Sequence, residues 1–147
     1  MNSYTGDEFL ALHNKCLIMD KNISKDVGKN IISAYKRASN IIEQESTSDG
    51  EKILGQPDTV LFKKPEEKLL FEKINKIRKH FSQPVKEKNY IETLNILADA
   101  KPTTDNFFDN VIVNDKDLDI KKNRLELLQM FCKTYNNFID FSKIEGA

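Results

Sequence analysis

Lys29, Ser33, Lys36, Arg37 and Asn40 recur at helical spacing, and no carboxylate interrupts them before Glu43. Ammonium, guanidinium, hydroxyl and amide groups on one rigid face are the donors that phosphates and base edges accept from. The same pattern also describes an ordinary solvated helix face, and the residues alone leave both readings open. Tyr35 borders this face but lies nearer the opposite apolar stripe, so it is not expected to stack on a base.

A second position stands out. At about 100° per residue, Ile120, Leu127, Leu128, Phe131, Tyr135 and Phe138 form one apolar stripe, and Arg124 falls near its middle. A guanidinium buried there needs a carboxylate, because an unpaired buried charge is strongly destabilising. Asp109, just upstream, is the first candidate for a structural ion pair with Arg124, and Asp105 the second. An Arg124 that faces a ligand instead is the alternative.

Other chemistry is hard to assemble from this chain. It has no phosphate-binding glycine loop, no dinucleotide fingerprint, no nucleophile elbow, no HExxH and no CxxC. The carboxylates are scattered along solvent faces, so no acid/base pair can be proposed. His13 reads as a core-edge histidine and His80 stands alone. Cys16 and Cys132 fall on apolar helical faces and read as reduced, buried thiols. By itself the chain is expected to hold no catalytic site, no metal and no cofactor.

The elements that must position these groups are helical. Glycine and proline are few, with 5 and 4 in 147 residues, which favours an all-α bundle of about five to six helices in one domain, 1–147. A capping box at Thr5 and Glu8 opens a helix burying Phe9, Leu12, Cys16 and Met19. The next runs from Ser24 to about Gln44 on Val27, Ile31, Ala34, Tyr35, Ala38 and Ile42. Residues 46–64 form a long, flexible loop, with its first proteolytic cut expected near Lys52. Pro65 then starts a helix on Leu70, Ile74, Ile77 and Phe81. A fourth helix, from Lys86 to Ala100, buries Tyr90 or Ile91 with Leu94 and Leu97, and Lys101-Pro102 ends it. Thr104 or Asp105 caps a short helix grouping Phe107, Phe108, Val111 and Ile112. After an acidic turn the last helix runs from near Asp117 to about Ile139, followed by a tail in which Phe141 and Ile144 pack back.

Lys and Arg total 23, as do Asp and Glu, so the formal net charge is zero. A polyanion would have to be bound by a local patch and not by the overall field. No apolar run approaches a membrane span, and no signal peptide is visible, so a cytoplasmic protein is expected.

Phe107-Phe108-Asp109-Asn110-Val111, the acidic turn, Asn123-Arg124-Leu125 with Leu127-Leu128, and the closing Asp140-Phe141-Ser142-Lys143-Ile144 resemble the C-terminal part of the bacterial glycyl-tRNA synthetase beta subunit. Upstream, Ala34-Tyr35-Lys36-Arg37-Ala38-Ser39-Asn40-Ile41, Leu61-Phe62 and Pro65-Glu66-Glu67-Lys68 extend the likeness in order over nearly the whole chain. That part is a helical anticodon-binding domain of the DALR type shared with arginyl-tRNA synthetase. The resemblance implies a fragment of a longer subunit that binds the anticodon region of tRNA(Gly) during aminoacylation. The parent enzyme would use ATP, with its catalytic centre in an alpha subunit reached through the rest of the beta subunit. Neither DNA nor a membrane is an implied partner. The RNA contact would fall on Lys29, Ser33, Lys36, Arg37 and Asn40, helped by Asn110 and Lys122 if the surfaces adjoin. Two alternatives are the arginyl enzyme's domain, which the Phe107–Val111 run and the closing Asp140-Phe141-Ser142 disfavour, and a helical protein-interaction module, which zero net charge mildly favours.

Overall fold

The computed structural model describes residues 14–15, 17, 26–47 and 55–143, the side chains of 46, 47 and 143 excepted. Among these residues there are helices and turns but no strand, the all-α class that the composition favours. The α-helices are α1 (Asp26–Thr47), α2 (Pro65–His80), α3 (Tyr90–Ala98), α4 (Lys101–Asn110) and α5 (Leu118–Tyr135). Short 3-10 turns occupy Thr59–Leu61, Glu87–Asn89 and Phe141–Lys143. Asn14, Lys15 and Leu17 are also helical. The expected capping box at Thr5, the apolar face Phe9, Leu12, Cys16 and Met19, and His13 lie outside the described residues.

Local chemistry sets the helix ends. Pro65 occupies the first turn of α2, followed by Glu66 and Glu67, with Arg78, Lys79 and His80 in the last turn; both charge biases suit the helix dipole. The Asp117 carboxylate caps α5 by accepting from the N–H groups of Asp119 and Ile120. Lys101-Pro102 does not terminate a helix. It begins α4, because proline in a first turn has no needed N–H to lose. α4 also stops at Asn110, which removes the expected four-residue apolar face. Val111 stays buried from an extended backbone, while Ile112 turns out to solvent at 72% exposure.

α5 is the axis of the molecule. It packs chiefly on α1 and α2, while α1 also meets α3 and α4, and α2 meets α4. The stripe Ile120, Leu127, Leu128, Phe131, Tyr135 and Phe138 is buried throughout. Burial extends well beyond it, leaving Lys122 and Lys133 exposed and Gln129 half-exposed between residues 120 and 135. The helix ends at Tyr135 and not near Ile139. The Asn136 side chain then accepts from the Phe141 N–H at 3.0 Å, folding the tail back so that Phe141 is buried. Ile144 lies outside the described residues.

The other helices contribute Ile31, Ile32, Tyr35 and Ala38, then Leu70, Ile74 and Ile77, then Tyr90, Leu94 and Leu97. Tyr90 and not Ile91 faces inward. The Tyr135 hydroxyl donates to the Leu97 carbonyl at 2.6 Å, and burial raises its pKa. Burial also pushes the Cys132 thiol up to about 12; Cys16 is not among the described residues. His80 is not alone: its Nε2 lies 2.8 Å from the Thr93 hydroxyl. Of the expected loop, 46–47 complete α1 and 48–54, including Lys52, lie outside the described residues, while Gly55–Lys64 is tied to the helices as set out below.

Candidate nucleic-acid interface

The donor face lies along α1, turned away from Ile31, Tyr35 and Ala38. Lys29, Ser33, Arg37 and Asn40 are exposed, and Lys36 is half-buried. Tyr35 is withdrawn: it is 5% exposed, and its hydroxyl accepts from the Asn136 amide at 3.0 Å. Arg37 is more than a solvated charge. Its guanidinium sits 4.5 Å from the centre of the Phe108 ring, a cation–π contact that joins the α1 face to α4. A guanidinium over an aromatic ring still has N–H groups with which to bind an anion.

Asn110 is exposed at the end of α4, two residues beyond Phe108. Its side chain donates to the Asn106 carbonyl at 2.9 Å, and its own carbonyl accepts from Lys64 Nζ at 2.7 Å. Arg37 and Asn110 are thus brought to one end of α4. Lys122 is not brought to them by any contact among the described residues. It is exposed on α5, one turn before Glu126, whose carboxylate lies 3.5 Å from where a Cβ on Gly55 would sit.

Arg124 is buried at 4% exposure, and its partner corrects the sequence expectation. The carboxylate is that of Glu67, the third residue of α2, and neither Asp109 nor Asp105. Asp109 is exposed, and Asp105 pairs with Lys101 on its own helix. Arg124 Nη1 also donates to the Ile112 carbonyl at 2.6 Å and reaches Asp115 at 3.3 Å. Asp109 is not the partner because α4 presents it to solvent. The first turn of α2 instead buries Glu67 completely.

The Glu67 carboxylate does a second job. Its other oxygen accepts from the backbone N–H groups of Lys63 and Lys64, at 2.6 and 3.3 Å. Next to Arg124, the Asn123 amide clasps the backbone of one residue of the incoming chain: it accepts from the Asp58 N–H at 2.6 Å and donates to the Asp58 carbonyl at 3.0 Å. Sequence reasoning missed Glu67 and Asn123. The available signal was Glu67 at the third position of a proline-led helix, where a carboxylate reaches back to free N–H groups.

No group of three or more His, Cys, Asp or Glu side chains among the described residues could hold a metal, and no described helix is long and apolar enough to cross a membrane. The arrangement offers a set of side-chain donors along α1 and an arginine over an aromatic ring.

Against known families, residues 31–145 match the DALR anticodon binding domain. The chain belongs to the DALR anticodon-binding domain family. The match covers Ser33, Lys36, Arg37 and Asn40 of the donor face, and all of the Arg124 network; Lys29 lies just before it. This DALR domain is also similar to the glycine–tRNA ligase beta subunit of Rickettsia felis, with 41% identity over 120 residues, 82% of this chain and 17% of that protein. The Rickettsia canadensis beta subunit is 34% identical over 140 residues, 95% of this chain and 20% of that protein. The chain therefore spans at most about a fifth of the length of these relatives.

Proposed function

We propose that this DALR domain binds the anticodon arm of tRNA(Gly) as part of a glycine–tRNA ligase beta subunit. The observation that carries the reading is the family match across residues 31–145, which includes most of the α1 donor face, with Arg37 over the Phe108 ring. With 23 cationic and 23 anionic side chains, affinity must come from such a local patch. The domain positions the tRNA. Activation of glycine with ATP takes place elsewhere in the ligase, on an alpha subunit, in the cytoplasm.

The test replaces Lys36→Ala and Arg37→Ala together in the full ligase and measures tRNA(Gly) binding over a salt series. Each lost phosphate contact flattens the log-affinity versus log-salt slope by about 0.7 for single-stranded RNA, so the pair is expected to remove about 1.4. An unchanged slope with aminoacylation intact would reduce the face to a solvated helix surface.

A further inference from the structure

We infer that the groove between the Thr59–Leu61 turn and the start of α2 holds one unpaired RNA nucleotide, its base against Phe62 and Phe71 and its phosphate between Lys63 and Lys68. The inference rests on the tRNA reading above and adds to it a second contact surface, formed by α2 and the turn before it.

The groove has a volume of about 610 Å³ and is lined by Phe62, Phe71, Lys63, Lys64, Lys68 and Glu72, among others. That volume lies within the range of roughly 300–1,000 Å³ usual for small-molecule sites. Phe62 and Phe71 meet edge to face, 5.6 Å between ring centres, and both are half-buried. They form an apolar wall at the rim, not a sealed core pair. Every base has a π face, so such a wall binds unpaired bases without demanding one sequence.

Charge selects the same occupant. Three ammonium groups face one carboxylate, Glu72. Lys64 is engaged with the Asn110 carbonyl, while Lys63 and Lys68 are exposed and make no ion pair among the described residues. Glu72 on the rim opposes a second phosphate and limits the groove to one. An apolar peptide would gain nothing from the lysines, and an acidic one nothing from the rings.

The groove is also braced from behind. Asn123 holds the Asp58 peptide, Glu67 holds the N–H groups of Lys63 and Lys64, and Arg124 holds Glu67. A rigid loop loses less freedom on binding. This gives the buried network a use beyond stability, which well-packed apolar residues would supply equally well. Through α4 the groove adjoins the donor face, since Lys64 caps Asn110 and Arg37 covers Phe108 on the same helix. One RNA loop can therefore meet both.

The experiment uses the full 147-residue chain and an anticodon stem-loop of tRNA(Gly) carrying 5-iodouridine at an unpaired loop position. Photocrosslinking is expected to yield a peptide containing Phe62 or Phe71. Phe62→Leu keeps an apolar side chain but loses the stacking face, and is expected to weaken binding at least about fivefold. Lys63→Gln with Lys68→Gln, which leaves the rings in place, is expected to flatten the salt slope by about 0.7. If both variants fold, bind and crosslink as the parent does while Lys36→Ala/Arg37→Ala still weakens binding, the groove proposal is overturned and the RNA reading stands. If neither the groove nor the α1 variants change binding, both surfaces are overturned as RNA contacts.

Discussion

The two halves of α5 are buried to a similar depth by opposite means. From Leu127 to Tyr135 it presents Leu127, Leu128, Phe131 and Tyr135 to other helices. The Thr134 hydroxyl there stays within the helix, donating to the Met130 carbonyl at 2.8 Å. From Ile120 to Glu126 it buries Lys121, Asn123, Arg124 and Glu126. Their heads reach segments at or beyond helix ends: Lys121 to Glu45 at 3.4 Å, Asn123 to the Asp58 peptide, Arg124 to Glu67 and the Ile112 carbonyl. Apolar contact is non-directional and suffices to stack helices. Irregular backbone has unpaired N–H and C=O groups, and only directional partners fix it in place. The polar half of α5 organises loops, and the apolar half organises helices.

The largest expected effect strikes the polar half. Arg124→Ala strands the Glu67 carboxylate without its cation, and should lower the unfolding free energy by about 3–5 kcal/mol in urea titration. That rivals Leu128→Ala in the apolar half, expected at about 2–5 kcal/mol. Arg124→Met combined with Glu67→Gln should recover most of the loss. No charge is then stranded, and the Gln carbonyl still accepts from Lys63. An Arg124→Ala protein melting within about a degree or two of the parent would remove the contrast between the halves.

A smaller effect separates loop holding from helix stacking. Asn123→Ala leaves both Asp58 backbone groups without their partner, at a cost of about 1–3 kcal/mol. Amide exchange should accelerate from Asp58 to Lys64 and stay slow in Leu127–Tyr135. Equal acceleration in both would mean that the loop and the core open together.

These halves were unequally legible in the sequence. The apolar stripe of α5, its start near Asp117 and the proline start of α2 follow from rules spanning a few residues, and they describe the observed elements. That Arg124 needs an acid was equally plain. Which acid was not: Glu67 is 57 residues away, on a different helix, and sequence proximity pointed to the upstream Asp109 instead. Asn123 looks like a solvent residue until the Asp58 peptide is placed against it. The exposed Ile112 failed for a local reason, because the short helix began and ended earlier than its caps suggested. The donor face was readable as a face, but its cation–π contact with Phe108 depended on how α1 meets α4.

The smallest effect tests whether every buried polar group in that half is stabilising. Glu126 is buried, and burial raises its pKa, partly offset by Lys122. A carboxyl whose folded pKa is raised holds its proton more tightly in the folded state. The two states are equally protonated below the unfolded value of about 4.3, so no penalty exists there. The penalty appears as pH rises through the folded pKa and is complete above it. Glu126→Gln should therefore raise stability at pH 7, by less than about 1 kcal/mol given the nearby Lys122, and leave it unchanged near pH 3. A Gln variant that melts lower at pH 7 would show that the attraction to Lys122 outweighs desolvation. Glu126 would then join Arg124 and Asn123 as a group that holds structure, in place of one the fold merely tolerates.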